Sequence, residues 1–400
     1  MLPFDFYLYL ASRFLSASAG TLLRASLSWH VYELTHSPFH LGLIGIVQFV
    51  PQMALLLVGG AVADSFDRRR VINAAQLVLV TMGATLFMLT RNHTLTLPVL
   101  YALAAVQSAA LSFEQPSRVA LLPALVPREV FPRAVTISST NQALAFATGP
   151  AVGGIVIASF GIAQAYAAYL TLVVLAFVCV LALRQGGNAA GGARSPISLA
   201  AVREGVSFVL KQPVILGCMS LDMFAVIFGG ATALLPVYAK QILAVGPSGY
   251  GALTSSLEVG ALTMAVFMML RKPVVRAGRA LLAAVLVFGL ATIVFGVSRS
   301  FPLSIAAYAI CGMADQVSVV MRSTAVQLQT PDALRGRVSA VSMLFIGASN
   351  QLGAAESGFV AAFTSPTFAV VSGGIGCLVV LVVVAFRVPA LRDYRIERPA

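Results

Sequence analysis

Twelve apolar runs, each near the ~20 residues that a helix needs to cross the hydrocarbon of a bilayer, follow one another along this chain. Six fall at about 6–32, 38–62, 71–90, 97–119, 134–160 and 162–183, and six more at about 214–238, 249–270, 280–298, 302–321, 338–363 and 367–386. Lipid offers no partner to a backbone N–H or C=O, so a spanning segment must satisfy these groups within itself as a helix, or within a closed barrel. Barrel strands need only about ten residues of alternating character. These runs are longer and do not alternate. Charged residues make up 10% of the chain, against about a quarter in soluble domains, too few to cover a water-facing surface. The expected fold is all-α and integral to the membrane, with twelve transmembrane helices.

The net charge of +12 does not point to nucleic acid, because the basic residues are scattered through short loops with no interleaved aromatic patch. Loops on the side of the 64–70 segment hold 21 Lys and Arg, and the opposite side holds three, Arg91, Lys240 and Arg299. Arg13 and Arg24 lie inside the first run and complete the 26. Positive loops stay in the cytoplasm, so both termini are expected there. The first run, interrupted by Arg13 and Arg24, reads as a retained helix and not as a cleaved leader.

The pattern breaks once, between the sixth and seventh runs. Gly186, Gly187, Gly191 and Gly192 read as a flexible linker. Leu199, Val202, Val206, Val209 and Leu210 then recur at helical spacing around Arg203 and Glu204, which predicts an amphipathic helix along the inner membrane surface or a tether between two halves. The expected organisation is an N-terminal six-helix bundle over 1–184, a cytoplasmic linker over 185–212, a C-terminal six-helix bundle over 213–387 and a tail over 388–400.

The halves repeat. At a constant offset of 204, Arg118 matches Arg322, Pro127 matches Pro331, Arg133 matches Arg337, Gly149 matches Gly353 and Gly154 matches Gly358. Two six-helix halves in a parallel repeat are the architecture of a rocker-switch transporter, with its substrate site between the halves near the midplane.

After the second run come Gly60, Asp64, Ser65, Asp67, Arg68 and Arg69. They resemble the signature loop of the major facilitator superfamily, Gly-x-x-x-Asp-(Arg/Lys)-x-Gly-Arg-(Arg/Lys), with Ser65 in place of a basic residue and Asp67 in place of the second glycine. That position favours a positive φ, which Asp tolerates better than most residues. The resemblance implies that Asp64, Arg68 and Arg69 form a gating loop that latches the cytoplasmic ends of the halves in one state. In the fifth run, Gly149, Pro150, Gly153 and Gly154 are similar to the end of the antiporter motif of proton-driven exporters, although Thr136 and Ala145 stand where that motif has glycines. Close helix packing alone would also use such residues. The stretches from Tyr9 to Ser16, Val31 to Thr35 and Pro331 to Ser339 resemble the transmembrane secretion effector branch. That resemblance implies the plasma membrane of a bacterium.

Ionisable groups inside the membrane cost about 2.5–3.5 kcal/mol each on insertion scales and need a reason. Arg13 and Arg24 lie three turns apart on one face of the first run; Asp222 is in the seventh, Glu258 in the eighth, Asp315 in the tenth, Glu356 in the eleventh and Glu114 at the inner end of the fourth. The family resemblance implies that the first, fourth, seventh and tenth helices line the cavity. Arg13 or Arg24 would then hold an anionic group bidentately, while Asp222 and Asp315 would carry protons, with Glu258 nearby. Pairing of arginines in one half with acids in the other is the structural alternative. Glu114 is expected to pair with Arg118 one turn on.

Cys179, Cys218, Cys311 and Cys377 each sit in a different apolar run and read as small apolar filler. His30, His36, His40 and His93 read as solvated groups near the outer surface. No metal-ligand spacing, cofactor motif or nucleotide-binding loop is present, so neither ATP hydrolysis nor intramembrane enzymology is expected. The expected function is a proton-coupled exporter of a drug-like or siderophore-like small molecule, acting as a monomer by alternating access. The alternatives are a lipid or solute importer on the same scaffold, and a non-transporting scaffold or sensor.

Overall fold

The computed structural model describes residues 3–184, 199–271, 274–331 and 334–396, and every regular element among them is helical. The elements are α1 (Phe4–Thr35), α2 (Pro38–Ser65), α3 (Arg68–Arg91), α4 (Leu97–Leu125), α5 (Phe131–Phe160), α6 (Ile162–Leu181), α7 (Leu199–Lys211), α8 (Pro213–Gly229), α9 (Leu235–Val237), α10 (Gly246–Leu270), α11 (Ala277–Val297), α12 (Phe301–Gln329), α13 (Arg335–Phe363), α14 (Pro366–Arg387) and α15 (Pro389–Arg392). Eleven spans are long and apolar enough to cross a membrane. The twelfth is α1, whose 32 residues are ample in length but are interrupted by Asp5, Arg13, Arg24 and Glu33.

Local chemistry sets the ends. His36 closes α1 in the left-handed region at φ 51°, and Pro38 opens α2, where its missing N–H costs nothing. Gly161, at φ 90°, makes the turn between α5 and α6 that a side chain would strain. Asp67 is not in a left-handed turn. At φ −58° it caps α3, accepting from the N–H groups of Arg69 and Arg70, so the carboxylate fills the place of the expected glycine by satisfying two orphan donors.

The fourth and tenth spans run further than the apolar pattern indicates, to Leu125 and Gln329. Arg118 and Arg322 therefore lie inside helices, buried to 4% and 5% exposure, and not in loops. Moving these two leaves the basic bias of the same side intact. The seventh span departs the other way: α8 stops at Gly229, a 3-10 turn covers Ala231–Leu234, and the chain crosses α9 into a π-turn at Tyr238–Ile242. Backbone broken inside a membrane survives only where protein or a cavity satisfies it. Here Ser357 Oγ donates to the Gly230 carbonyl at 3.0 Å.

The chain forms two compact units. Unit 1 comprises Met1–His36, Val47–Ile197 and Gly246–Ser255; unit 2 comprises Ser37–Ile46, Ser198–Val245 and Ser256–Ala400. A core of Phe6, Tyr9, Ile72, Leu121 and Leu125 binds unit 1, and one of Leu221, Leu281, Val285, Cys377 and Leu391 binds unit 2. Opposite faces of one helix are both apolar: α6 buries Tyr166, Tyr169, Val173 and Val180 yet exposes Leu175, Val178 and Leu181, as a lipid-facing helix must. The apolar side of α7 is not spread on a membrane. Val209 and Val206 pack with Ile215, Val326, Val338 and Val341, and Glu204 pairs with Arg337, so α7 docks on the ends of α8, α12 and α13.

Candidate functional site

In unit 1 a buried polar network joins four helices. Glu114 is fully buried, and its Oε1 accepts from Arg118 Nε at 2.6 Å, Ser16 Oγ at 3.0 Å and Gln76 Nε2 at 3.2 Å. Arg118 also donates to Ser12 Oγ at 3.1 Å, and the Tyr9 hydroxyl donates to the Arg118 carbonyl at 3.1 Å. Arg13 donates to Tyr9 Oη at 2.9 Å and to Gln142 Oε1 at 2.5 Å. Arg118 is thus paired with the one carboxylate of the network, whereas Arg13 has no acidic partner among the described residues. Arg24 is exposed on α1 and stands apart from this network.

Unit 2 carries the opposite imbalance. Asp222 of α8 and Arg322 of α12 form a buried ion pair, with Ser318 Oγ 3.4 Å from Asp222 Oδ1. Asp222 and Asp315 line one cleft with Ala225, Ala284, Phe288 and Ser318. Asp315 also lines a neighbouring cavity of ≈110 Å³ with Gly229, Gly230, Thr232, Tyr308 and Asn350. Thr232 Oγ1 and Tyr308 Oη are 2.9 Å apart there. Glu258 is within electrostatic reach of Asp315, and no cation is paired with Asp315 among the described residues. Two carboxylates, Asp222 and Asp315, therefore line the cleft, and Arg322 pairs with one of them. Glu356 accepts from Ser357 Oγ at 3.3 Å.

Arg118 and Arg322, equivalent in the repeat, occupy the same register of the fourth and tenth spans, and each meets a carboxylate. Both were counted with the loops, although Arg118 falls within the fourth run and its pair with Glu114 one turn away is the one expected; the offset of 204 was the signal that singled out Arg322. The charge pairing also differs from the alternative of arginines in one half bound to acids in the other, because Asp222 pairs with Arg322 of its own half. The break at Gly229 and Gly230 was signalled only by two adjacent glycines followed by Pro236.

Gly60 and Asp64 lie in the last turns of α2; Gly60 is buried and Asp64 half-buried. Arg68, the first residue of α3, is buried, and Arg69 Nη2 donates to the Leu181 carbonyl at 3.3 Å. The antiporter-like motif is a packing surface within unit 1. A Cβ on Gly149 would collide with Ser18 and Thr21 of α1, and one on Gly154 with the backbone of Pro247 and Gly251, so both contacts need bare backbone. Pro150 and Gly153 are buried beside them. His30 is not solvated: it is buried, with Nδ1 2.9 Å from Tyr166 Oη. The four cysteines are free, with three buried and Cys179 partly so.

The family model described as Transmembrane secretion effector matches residues 6–397. The enterobactin exporter EntS of Escherichia coli strain K12 is 26% identical over 394 residues, covering 97% of this chain and 92% of that protein. The enterobactin exporter of E. coli O1:K1 is likewise 26% identical, over 391 residues. Among solved structures, a POT family transporter in complex with 5-aminolevulinic acid superposes with a TM-score of 0.76 at 11% identity over 97% of each chain. A bacterial homologue of the human lysosomal transporter Spinster gives 0.74 at 15% identity, with full coverage of both chains.

Proposed function

The chain belongs to the transmembrane secretion effector family of major facilitator transporters, and from that premise we propose that it exports a small organic molecule in exchange for protons. It is a multi-pass membrane transporter and not an enzyme. The full-length similarity to enterobactin exporters supports outward transport across a bacterial inner membrane, with both termini in the cytoplasm. A single observation carries the coupling: Asp315, a carboxylate within a spanning helix, lines a cavity beside the broken seventh span with no paired cation among the described residues. Such a group can gain and lose a proton as its surroundings change from wet to dry.

Asp222 shares the cleft, where Arg322 competes with a proton for it. Arg13, without a counter-charge among the described residues, presents a guanidinium to an anionic group on the cargo. Arg24, further along the same helix, and Glu258, beside Asp315, extend the two charged surfaces. Asp64, Arg68 and Arg69, with Gly60, form the gating loop, and Gly149, Pro150, Gly153 and Gly154 support the exporter geometry. The protein works as a monomer in the lipid bilayer.

The test is transport in proteoliposomes with an imposed pH gradient. Asp315→Asn should abolish gradient-driven flux while leaving gradient-independent exchange of cargo within about twofold of wild type. Undiminished gradient-driven efflux in that variant would end the proton-carrier assignment. Flux running inward with the gradient would instead identify an importer.

A further inference from the structure

Residues 389–396 fold back over the start of α11 at the basic, cytoplasmic side of unit 2. Gly278 N–H donates to the Tyr394 carbonyl at 3.2 Å and Ile396 N–H to the Val275 carbonyl at 2.9 Å. Leu391 is buried, and Tyr394 and Ile396 pack on the unit 2 core. This strap closes a cavity of ≈120 Å³ lined by Arg276, Arg279, Arg392, Asp393, Tyr394 and Arg395. The volume exceeds that needed for a single water several-fold and gives room for a tetrahedral oxyanion. Asp393 lies 3.4 Å from Arg392 and neutralises one guanidinium. Three remain, all exposed, and none has an acidic partner among the described residues.

The surroundings are apolar in a directed way. Below Arg279 on the same face of α11, Leu286 and Leu290 are 42% and 48% exposed. Along α14, which leads into the strap, Ile375, Val379, Val382 and Phe386 form a second stripe, each at least half exposed. Side chains at i, i+4, i+7 and i+11 share one helix face. A free phosphate would gain nothing from these stripes, whereas acyl chains would cover them. We propose that this pocket holds the phosphate headgroup of an anionic phospholipid of the cytoplasmic leaflet, clamped by Arg276, Arg279 and Arg395, with its acyl chains against α11 and α14. Guanidinium forks suit phosphate oxygens, and basic pockets at the cytoplasmic ends of spanning helices attract such headgroups.

The proposal is tested by native mass spectrometry of the full-length protein, purified in neutral detergent and titrated with cardiolipin, phosphatidylglycerol or phosphatidylcholine. Wild type should retain the two anionic lipids in preference to phosphatidylcholine. Arg279→Gln with Arg395→Gln should weaken that retention about thirtyfold, at about one arginine's contribution each. Arg128→Gln with Arg133→Gln, which removes equal charge from another loop, should behave as wild type. Equal losses in the two double variants would reduce the effect to net charge, and no loss in the first would overturn the site. Displacement of the lipid by inorganic phosphate at matching concentration would overturn the lipid assignment. The substituted side chains are exposed, and unchanged melting in lipid-free detergent checks that folding is intact.

Discussion

Glu114, itself fully buried, receives three donors on one oxygen, so its charge balances Arg118 in a place water does not reach. Glu114→Gln keeps the shape but leaves the Arg118 guanidinium buried without a counter-charge, a loss of about 3–5 kcal/mol. Thermal unfolding in detergent should show a large drop for this variant. Adding Arg118→Met should restore part of it, because the stranded charge is then gone. A wild-type melting curve for Glu114→Gln would mean that the pair is not buried as described. The same argument separates the acids of unit 2. Asp222 has Arg322 to strand, so its removal acts on stability, while Asp315 strands nothing and its removal acts on flux.

Among the elements, α7 is the one whose role depends on a close approach. Gly205 brings α7 onto α13, and a Cβ there would stand 2.9 Å from the Arg337 carbonyl oxygen. Gly205→Leu therefore has to lift the helix off, at about 1–3 kcal/mol for an overpacked contact. The Glu204–Arg337 pair beside it is 53% and 37% exposed and contributes at most about 1 kcal/mol. Hydrogen exchange over 199–211 should rise sharply in Gly205→Leu and barely change in Glu204→Gln. A comparable rise in both would place the docking energy in the ion pair. The broken seventh span is the other element with consequences, since Gly229 and Gly230 at the break and the Asp315 carboxylate border the same cavity.

For the whole molecule, the distribution of basic loops predicts how the bundle is oriented. Arg128 and Arg299 are both exposed and belong to opposite sides. In a variant lacking the four native cysteines, Arg299→Cys should react with an impermeant maleimide on intact cells. Arg128→Cys should react only after permeabilisation. The reverse pattern would invert the protein and with it the direction proposed for transport.

Helix number, fold class and the basic-side bias follow from the order of residues alone, because lipid forces each ~20-residue apolar run to satisfy its own backbone. The gating-loop and antiporter-like glycines were equally plain as motifs. Which charges are inside was not legible in the same way. Arg322 looks like any loop arginine until Asp222, 100 residues away, is folded against it; the Glu114–Arg118 pair was legible from its spacing, but Ser12, Gln76 and Ser16 around it were not. A one-dimensional pattern scores a charge by its neighbours in the chain, whereas the cost of burying it is set by its neighbours in space. Only packing creates those.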